Sequence, residues 1–236
     1  MKRIIFIIVK NLFRLPYFIY LINKHAKHVE KYSMVDHMVM LKYIITKVNR
    51  AGKVHIGVHG TENLPAHQGF ILFPNHQGLF DVLAIMAASP YPISMIAKQE
   101  AGRIPVIKHV ITCVGGYLLD RKDTRQGMKV IQAVSKDVIN GKNFVIFPEG
   151  TRSKDPTTML EFKGGSFKAA TMARCSIIPV ALIDSNKPFD SGSVEPVTVQ
   201  VHFLAPLLYE EYQNLKTTEI AAIVQSRILE VLTTAI

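Results

Sequence analysis

The chain is short of cysteine, of acid and of any clean apolar span. It has two cysteines, Cys113 and Cys175, both in apolar surroundings and without C-x-x-C spacing. That spacing excludes a disulfide framework and a thiolate zinc site, and both residues read as reduced packing residues in a cytosolic setting. Asp and Glu number 18 against 28 Lys and Arg, a formal net charge of +10. A basic chain points to an anionic partner: nucleic acid, an acidic membrane face or a phosphorylated substrate. Aromatic residues are not interleaved with basic ones and no nucleic-acid recognition motif is present, so nucleic acid is set aside. There is no internal repeat and no low-complexity stretch. What is present is 236 residues, 48% of them hydrophobic and 19% charged. That supports the core of one α/β domain and excludes extended disorder.

The amino end reads "MKRIIFIIVKNLFRLPYFIYLINKH". It begins like a signal peptide, but polar, basic "INKHAKH" follows where a small-residue cleavage site would stand. A bilayer span needs about 20 mostly apolar residues. Lys10, Asn11 and Arg14 interrupt that window and Pro16 follows. Each central Lys or Arg costs roughly 2.5–3.5 kcal/mol of insertion. On a helix, Arg3, Lys10, Asn11 and Arg14 share one side, and Ile5, Ile8, Leu12, Leu15 and Ile19 lie mostly on the other. This predicts a helix lying in the headgroup plane with its cations toward acidic lipid. A second helical stretch, roughly 29–48, carries Met34, Val35, Met38, Leu41 and Ile45. Residues 1–50 are therefore expected to be membrane-associating helices and 51–236 the main domain.

The rest alternates. Short apolar runs recur at "KVHIGVHG", "GFILFP", "ISMIAK", "GGYLLD", "NFVIFP", "SIIPVAL" and "VTVQVHF". Helix-length segments lie between several of them: "FDVLAIMAAS", "IPVIKHVITC", "DTRQGMKVIQAVSKDVIN" behind a capping Asp123, and "SFKAATMARC". A helix with a Thr cap, "TTEIAAIVQSRILEVLTTA", follows the last run. Such alternation predicts an α/β fold, a mainly parallel or mixed sheet flanked by helices, with ligands beyond the carboxyl ends of strands.

Three strand ends carry polar clusters. "PNHQGLFD", Pro74 to Asp81, follows the run "GFILF". On one continuous helix His76 and Asp81 would point roughly 140° apart. A turn at Gln77-Gly78 would instead bring Asp81, in the first helical turn, against one imidazole nitrogen and leave the other as a base. A helix-starting aspartate beside a merely satisfied histidine is the alternative. "GGYLLDR" places Arg121 after a strand, suited to a bidentate grip on phosphate or to an ordinary ion pair with Asp120. "FPEGTRS" places Glu149, Gly150, Thr151 and Arg152 in a tight polar turn, where backbone amides and side-chain donors converge. A plain proline-glycine turn is the alternative there. Lys98, in "IAKQE", is a further cation at a strand end or a solvated lysine. His55 and His59, in "VHIGVH", alternate like a strand and lack a third-ligand motif, so no metal is expected.

In order, "NHQGLFD", "GGYLLDR", "FPEGTRS" and "IIPVAL" resemble the four blocks of the glycerolipid acyltransferases, the 1-acylglycerol-3-phosphate acyltransferases. The match runs from about Val54 to Leu182. Many members carry serine where Gly78 stands and a more aromatic second block where "YLL" stands.

The resemblance implies transfer of a fatty acyl group from coenzyme A or an acyl carrier protein to the 2-hydroxyl of lysophosphatidate, without a cofactor. His76 would be the general base, with Asp81 orienting it. Arg121 and Arg152 would bind the acceptor phosphate, Gly150 and Thr151 would assist, and Glu149 would hold the glycerol or an arginine. Lys98 joins them as a substrate-binding candidate. Drawing a sixteen-carbon chain into water costs about 12 kcal/mol. The lipid is therefore expected to come directly from the cytoplasmic face of an anionic membrane, through a tunnel between the amino-terminal helices and the sheet. The competing readings are an acyltransferase for another lysophospholipid or an acylated amino acid lipid, and a non-catalytic basic membrane binder.

Overall fold

The computed structural model describes residues 2–153, 155 and 158–234. Seven strands form at the seven apolar runs: β1 (Val54–His59), β2 (Ile71–Pro74), β3 (Ser94–Lys98), β4 (Tyr117–Leu119), β5 (Phe144–Val145), β6 (Ile177–Ile183) and β7 (Val197–Phe203). They make one sheet in the order β1-β7-β6-β2-β5-β3-β4. All neighbours are parallel except β6 and β7. The central strands β2 and β6 are covered on both faces, so they read as continuous apolar runs without alternation. Pro179 sits inside β6, where a missing N–H would normally be costly. The β6–β7 ladder runs from Val180 to Ile183, so Pro179 lies just outside it.

The helices are α1 (Lys2–Lys10), α2 (Leu15–Lys27), α3 (Met34–Gly52), α4 (Asp81–Ala88), α5 (Pro105–Cys113), α6 (Thr124–Ile139), α7 (Lys168–Ala173), α8 (Lys187–Asp190), α9 (Tyr209–Tyr212) and α10 (Thr217–Thr234). They cover the two faces of the sheet as two separate cores. On one face Ile22 of α2, Met38, Leu41 and Ile45 of α3, Ile85 of α4 and Ile111 of α5 pack together. On the other, Val130 and Val134 of α6, Ala169 of α7, and Val224 and Ile228 of α10 pack with Phe73 and Phe167. The Phe73 and Phe167 rings stack at 4.3 Å. Truncating either to alanine would cost about 3–5 kcal/mol.

The amino end departs from the sequence reading in two ways. The expected single helix is broken into α1 and α2, which meet at 93°. Pro16 sits in the first turn of α2, where its missing N–H is harmless. The polar side also divides. Arg3 is 2% exposed and Asn11 1% exposed, so neither faces outward with Lys10 and Arg14. The reason is an unfilled helix end. Arg3 donates to the Gly52 carbonyl at 2.5 Å and to the Glu195 carbonyl at 2.7 Å. A guanidinium at the carboxyl end of α3 meets an orphan acceptor and the negative end of the dipole. The apolar side is the outward one: Ile5 is 62%, Leu12 57% and Phe13 96% exposed. Among the described residues no single helix is long and apolar enough to cross a membrane.

Candidate active site

β2 delivers the chain to the carboxyl edge of the sheet, and Asn75 fastens it there. Its side chain donates to the Leu182 carbonyl at 3.0 Å and accepts the Leu182 amide at 2.7 Å, tying β2 to the end of β6. The chain then turns through Gln77-Gly78 and enters α4 at Asp81. Gly78 is required by proximity. A β-carbon there would lie 2.7 Å from the Asn186 α-carbon and 2.7 Å from an Asp190 oxygen. Of the two arrangements open in the sequence the chain adopts the turn, and His76 Nδ1 lies 2.7 Å from Asp81 Oδ2.

The Asp81 carboxylate is fully buried, so its charge must be met by donors. The amides of Gln77 (2.8 Å) and Gly78 (3.0 and 3.1 Å) point at it. The Ser185 hydroxyl donates to the other oxygen at 2.6 Å. An acceptor-only partner makes Nδ1 the protonated nitrogen of His76, so Nε2 is left basic. The imidazole is 18% exposed and packs on the Phe147 ring, with centroids 4.2 Å apart. Its position is thus over-determined: a carboxylate at one nitrogen, a ring against its face, and a backbone bond beneath.

That backbone bond comes from Glu149. Besides the role expected for it toward substrate, Glu149 positions backbone. It is 1% exposed, and its two oxygens accept the His76 amide at 2.6 Å and the Leu160 amide at 2.9 Å. Burial pushes its carboxyl above the usual carboxylate range, partly offset by those amides. The same network reaches α10, because Gln225 accepts the Phe162 amide at 3.0 Å and donates to the Leu160 carbonyl at 3.4 Å. Beside the histidine lies a shallow depression lined by Asn75, His76, Gln77, Glu149, Thr158, Met159 and Leu232. Its apolar lining is Met159 and, from α10, Leu232.

The cations follow the order of strands. Gly150 adopts φ +70°, which turns the loop after β5, and Thr151 and Arg152 stand exposed just beyond it. β5 is adjacent to β2, so Arg152 belongs to one of the two loops that flank His76. Lys98 ends β3, one strand further, and forms an exposed ion pair with Glu100 at 2.8 Å. Arg121 follows β4, the edge strand, three strand spacings or about 14 Å from β2. It does not pair with Asp120, whose side chain accepts the Lys122 amide instead. All three cations stand at the carboxyl edge shared with His76, because β2, β5, β3 and β4 run parallel.

Sequence reasoning missed Ser185, Gln225 and Lys163. The Lys163 amine lies 3.2 Å from where a Gly150 β-carbon would sit, which puts another cation over the turn. No local pattern announces these residues, since each becomes relevant only through a contact across the fold. Asn75 stood in a quoted motif, but its partner, 107 residues away, was invisible.

A family model described as Acyltransferase matches residues 55–183, just over half the chain. A protein of Helicobacter pylori named 1-acyl-sn-glycerol-3-phosphate acyltransferase is 35% identical over 150 residues, 59% of this chain and 63% of its own length. One of Borreliella burgdorferi with the same name is 32% identical over 174 residues, 71% of this chain and 68% of its own. In three dimensions the chain resembles the crystal structure of the 1-acyl-sn-glycerophosphate (LPA) acyltransferase PlsC from Thermotoga maritima. The TM-score is 0.80 at 21% sequence identity, covering 100% of this chain and 98% of that one. That likeness shows a shared fold.

Proposed function

The chain belongs to the acyltransferase family, and on that premise we propose that it transfers a fatty acyl group from a thioester to the 2-hydroxyl of 1-acylglycerol-3-phosphate, forming phosphatidic acid. The observation that carries this reading is the 2.7 Å bond between His76 Nδ1 and a buried Asp81 at the carboxyl end of β2. His76 Nε2 takes the hydroxyl proton as that oxygen attacks the thioester carbonyl, and Asp81 stabilises the imidazolium that forms. The tetrahedral intermediate then expels the thiolate, which receives the proton from Nε2. Attack is direct. The serine of the site, Ser185, donates its hydroxyl to Asp81, on the wrong side of the imidazole for a nucleophile.

Arg152 is the first clamp on the acceptor phosphate, with Lys98 and Arg121 further along the same edge and the Gly150-Thr151 turn offering amides. The exposed apolar side of α1 and α2, with Ile5, Leu12 and Phe13, seats the enzyme in the cytoplasmic leaflet as a monotopic protein. Lys10 and Arg14 beside it meet acidic lipid.

The test is transfer from palmitoyl thioesters to a panel of lysolipids by the full chain and by His76→Ala. The expected result is preference for lysophosphatidate and a loss of about 10²–10⁴-fold in His76→Ala, with vesicle binding retained. Transfer that survives His76→Ala, or preference for a phosphate-free acceptor, refutes the reading.

A further inference from the structure

Resting on that reading, we propose that the outer face of α6 and α7 is the docking surface for a small acidic carrier protein that delivers the acyl thioester. Arg125, Lys129 and Lys136 are all exposed on α6 and share one face of the helix by their 4- and 7-residue spacing. None has an ion-pair or side-chain hydrogen-bond partner among the described residues. The acids nearby are occupied. Asp123 caps α6 through the Arg125 and Gln126 amides, and Asp137 binds Tyr117 at 3.0 Å and Lys142 at 2.9 Å. The neighbouring α7, "KAATMA", has no acid and adds an exposed Lys168.

Position and extent argue for a protein partner. α6 and α7 pack on the face of the sheet opposite α2, α3 and α5, so this surface turns away from the proposed membrane side. α6 also begins just after β4, at the carboxyl edge that holds His76. From Arg125 to Lys136 the row extends about 16 Å, longer than one phosphate cluster and matched to a helix laid alongside. Exposed Met128, Ile139 and Met172 lie among the cations, offering adaptable apolar contact that a nucleotide does not need.

The experiment compares palmitoyl-acyl carrier protein with palmitoyl-CoA as donors for the full chain and for a triple variant, Arg125→Glu, Lys129→Glu and Lys136→Glu. The triple variant is expected to lose at least tenfold in kcat/KM with the carrier protein and to stay within twofold with the coenzyme A thioester. Fluorescence anisotropy of labelled, unacylated carrier protein supplies a second readout. Its affinity is expected to be weakened by salt in the parent and to fall at least tenfold in the variant. Carrier binding lost in the variant, when the parent acylates no lysolipid, supports the docking surface and overturns only the acyltransferase reading. Carrier turnover and binding unchanged in the variant overturn the docking surface. So does an equal loss with both donors, which would assign the cations to nucleotide phosphates.

Discussion

Replacing Asp81 with asparagine separates the charge of the dyad from its geometry. The carboxylate receives donors on both oxygens: His76, Gln77 and Gly78 on Oδ2, Gly78 and Ser185 on Oδ1. An asparagine that keeps its oxygen at the Oδ2 position retains the imidazole and both amides there. Its NH₂ then faces the Ser185 hydroxyl, which can rotate to accept, and the Gly78 amide, which keeps only its bond to the Oδ2 position. The structural cost is therefore about one imperfect hydrogen bond, or 1–3 kcal/mol. The imidazolium loses far more, because the charge 2.7 Å away is gone. Neutralising the acid of such a pair while keeping its shape costs about 10⁴ in kcat, roughly 5 kcal/mol of barrier. The assay is thiol release from palmitoyl-CoA at saturating lysophosphatidate, with unfolding followed in parallel. The expected Asp81→Asn protein is folded, binds lysophosphatidate with little change in KM and turns over at about 10⁻⁴ of the parent rate. A folded Asp81→Asn protein within tenfold of the parent kcat would refute the dyad.

Two other perturbations follow from the packing. Gly78→Ser forces a β-carbon to within 2.7 Å of the Asn186 backbone. It should destabilise the fold by about 1–3 kcal/mol, read as a lower urea midpoint with unchanged slope; an unaltered midpoint would contradict the close approach. Stability should also fall on acidification. His25 and His37 face each other with Nδ1 atoms 3.2 Å apart, and burial first, then for His25 the charges of His37 and Lys24, holds both below the ordinary histidine range. As pH drops below about 6.5 the unfolded chain takes up these protons before the folded one does. The folded state therefore loses stability through the window below that value, by up to about 1.4 kcal/mol per pH unit for each histidine. Unfolding midpoints measured from pH 7 to 5 should fall in the parent and fall less in a His25→Phe, His37→Leu protein. An identical slope in the two would count against the pair.

Much was legible in the chain order of residues. Short apolar or alternating runs and apolar residues at helical spacing placed seven strands and the main helices, because burying apolar surface is a local requirement of each element. The bend at Gln77-Gly78 was one of two readings open in the sequence, and the meeting of His76 with Asp81 is fixed with the help of Ser185, 104 residues from Asp81. The order of strands was not legible. It puts one strand, β3, between the strands that carry Arg152 and Arg121, although both residues follow strand ends of the same kind. Nor did Glu149 reveal that both its oxygens would be spent on amides at His76 and Leu160. Arg3 read as a surface cation and is buried, because the carboxyl end of α3, 49 residues away, needed a donor. Sequence alone settles what each segment must do with its own backbone and apolar surface. Which distant segment supplies the missing partner depends on how the layers close, and only the folded chain decides that.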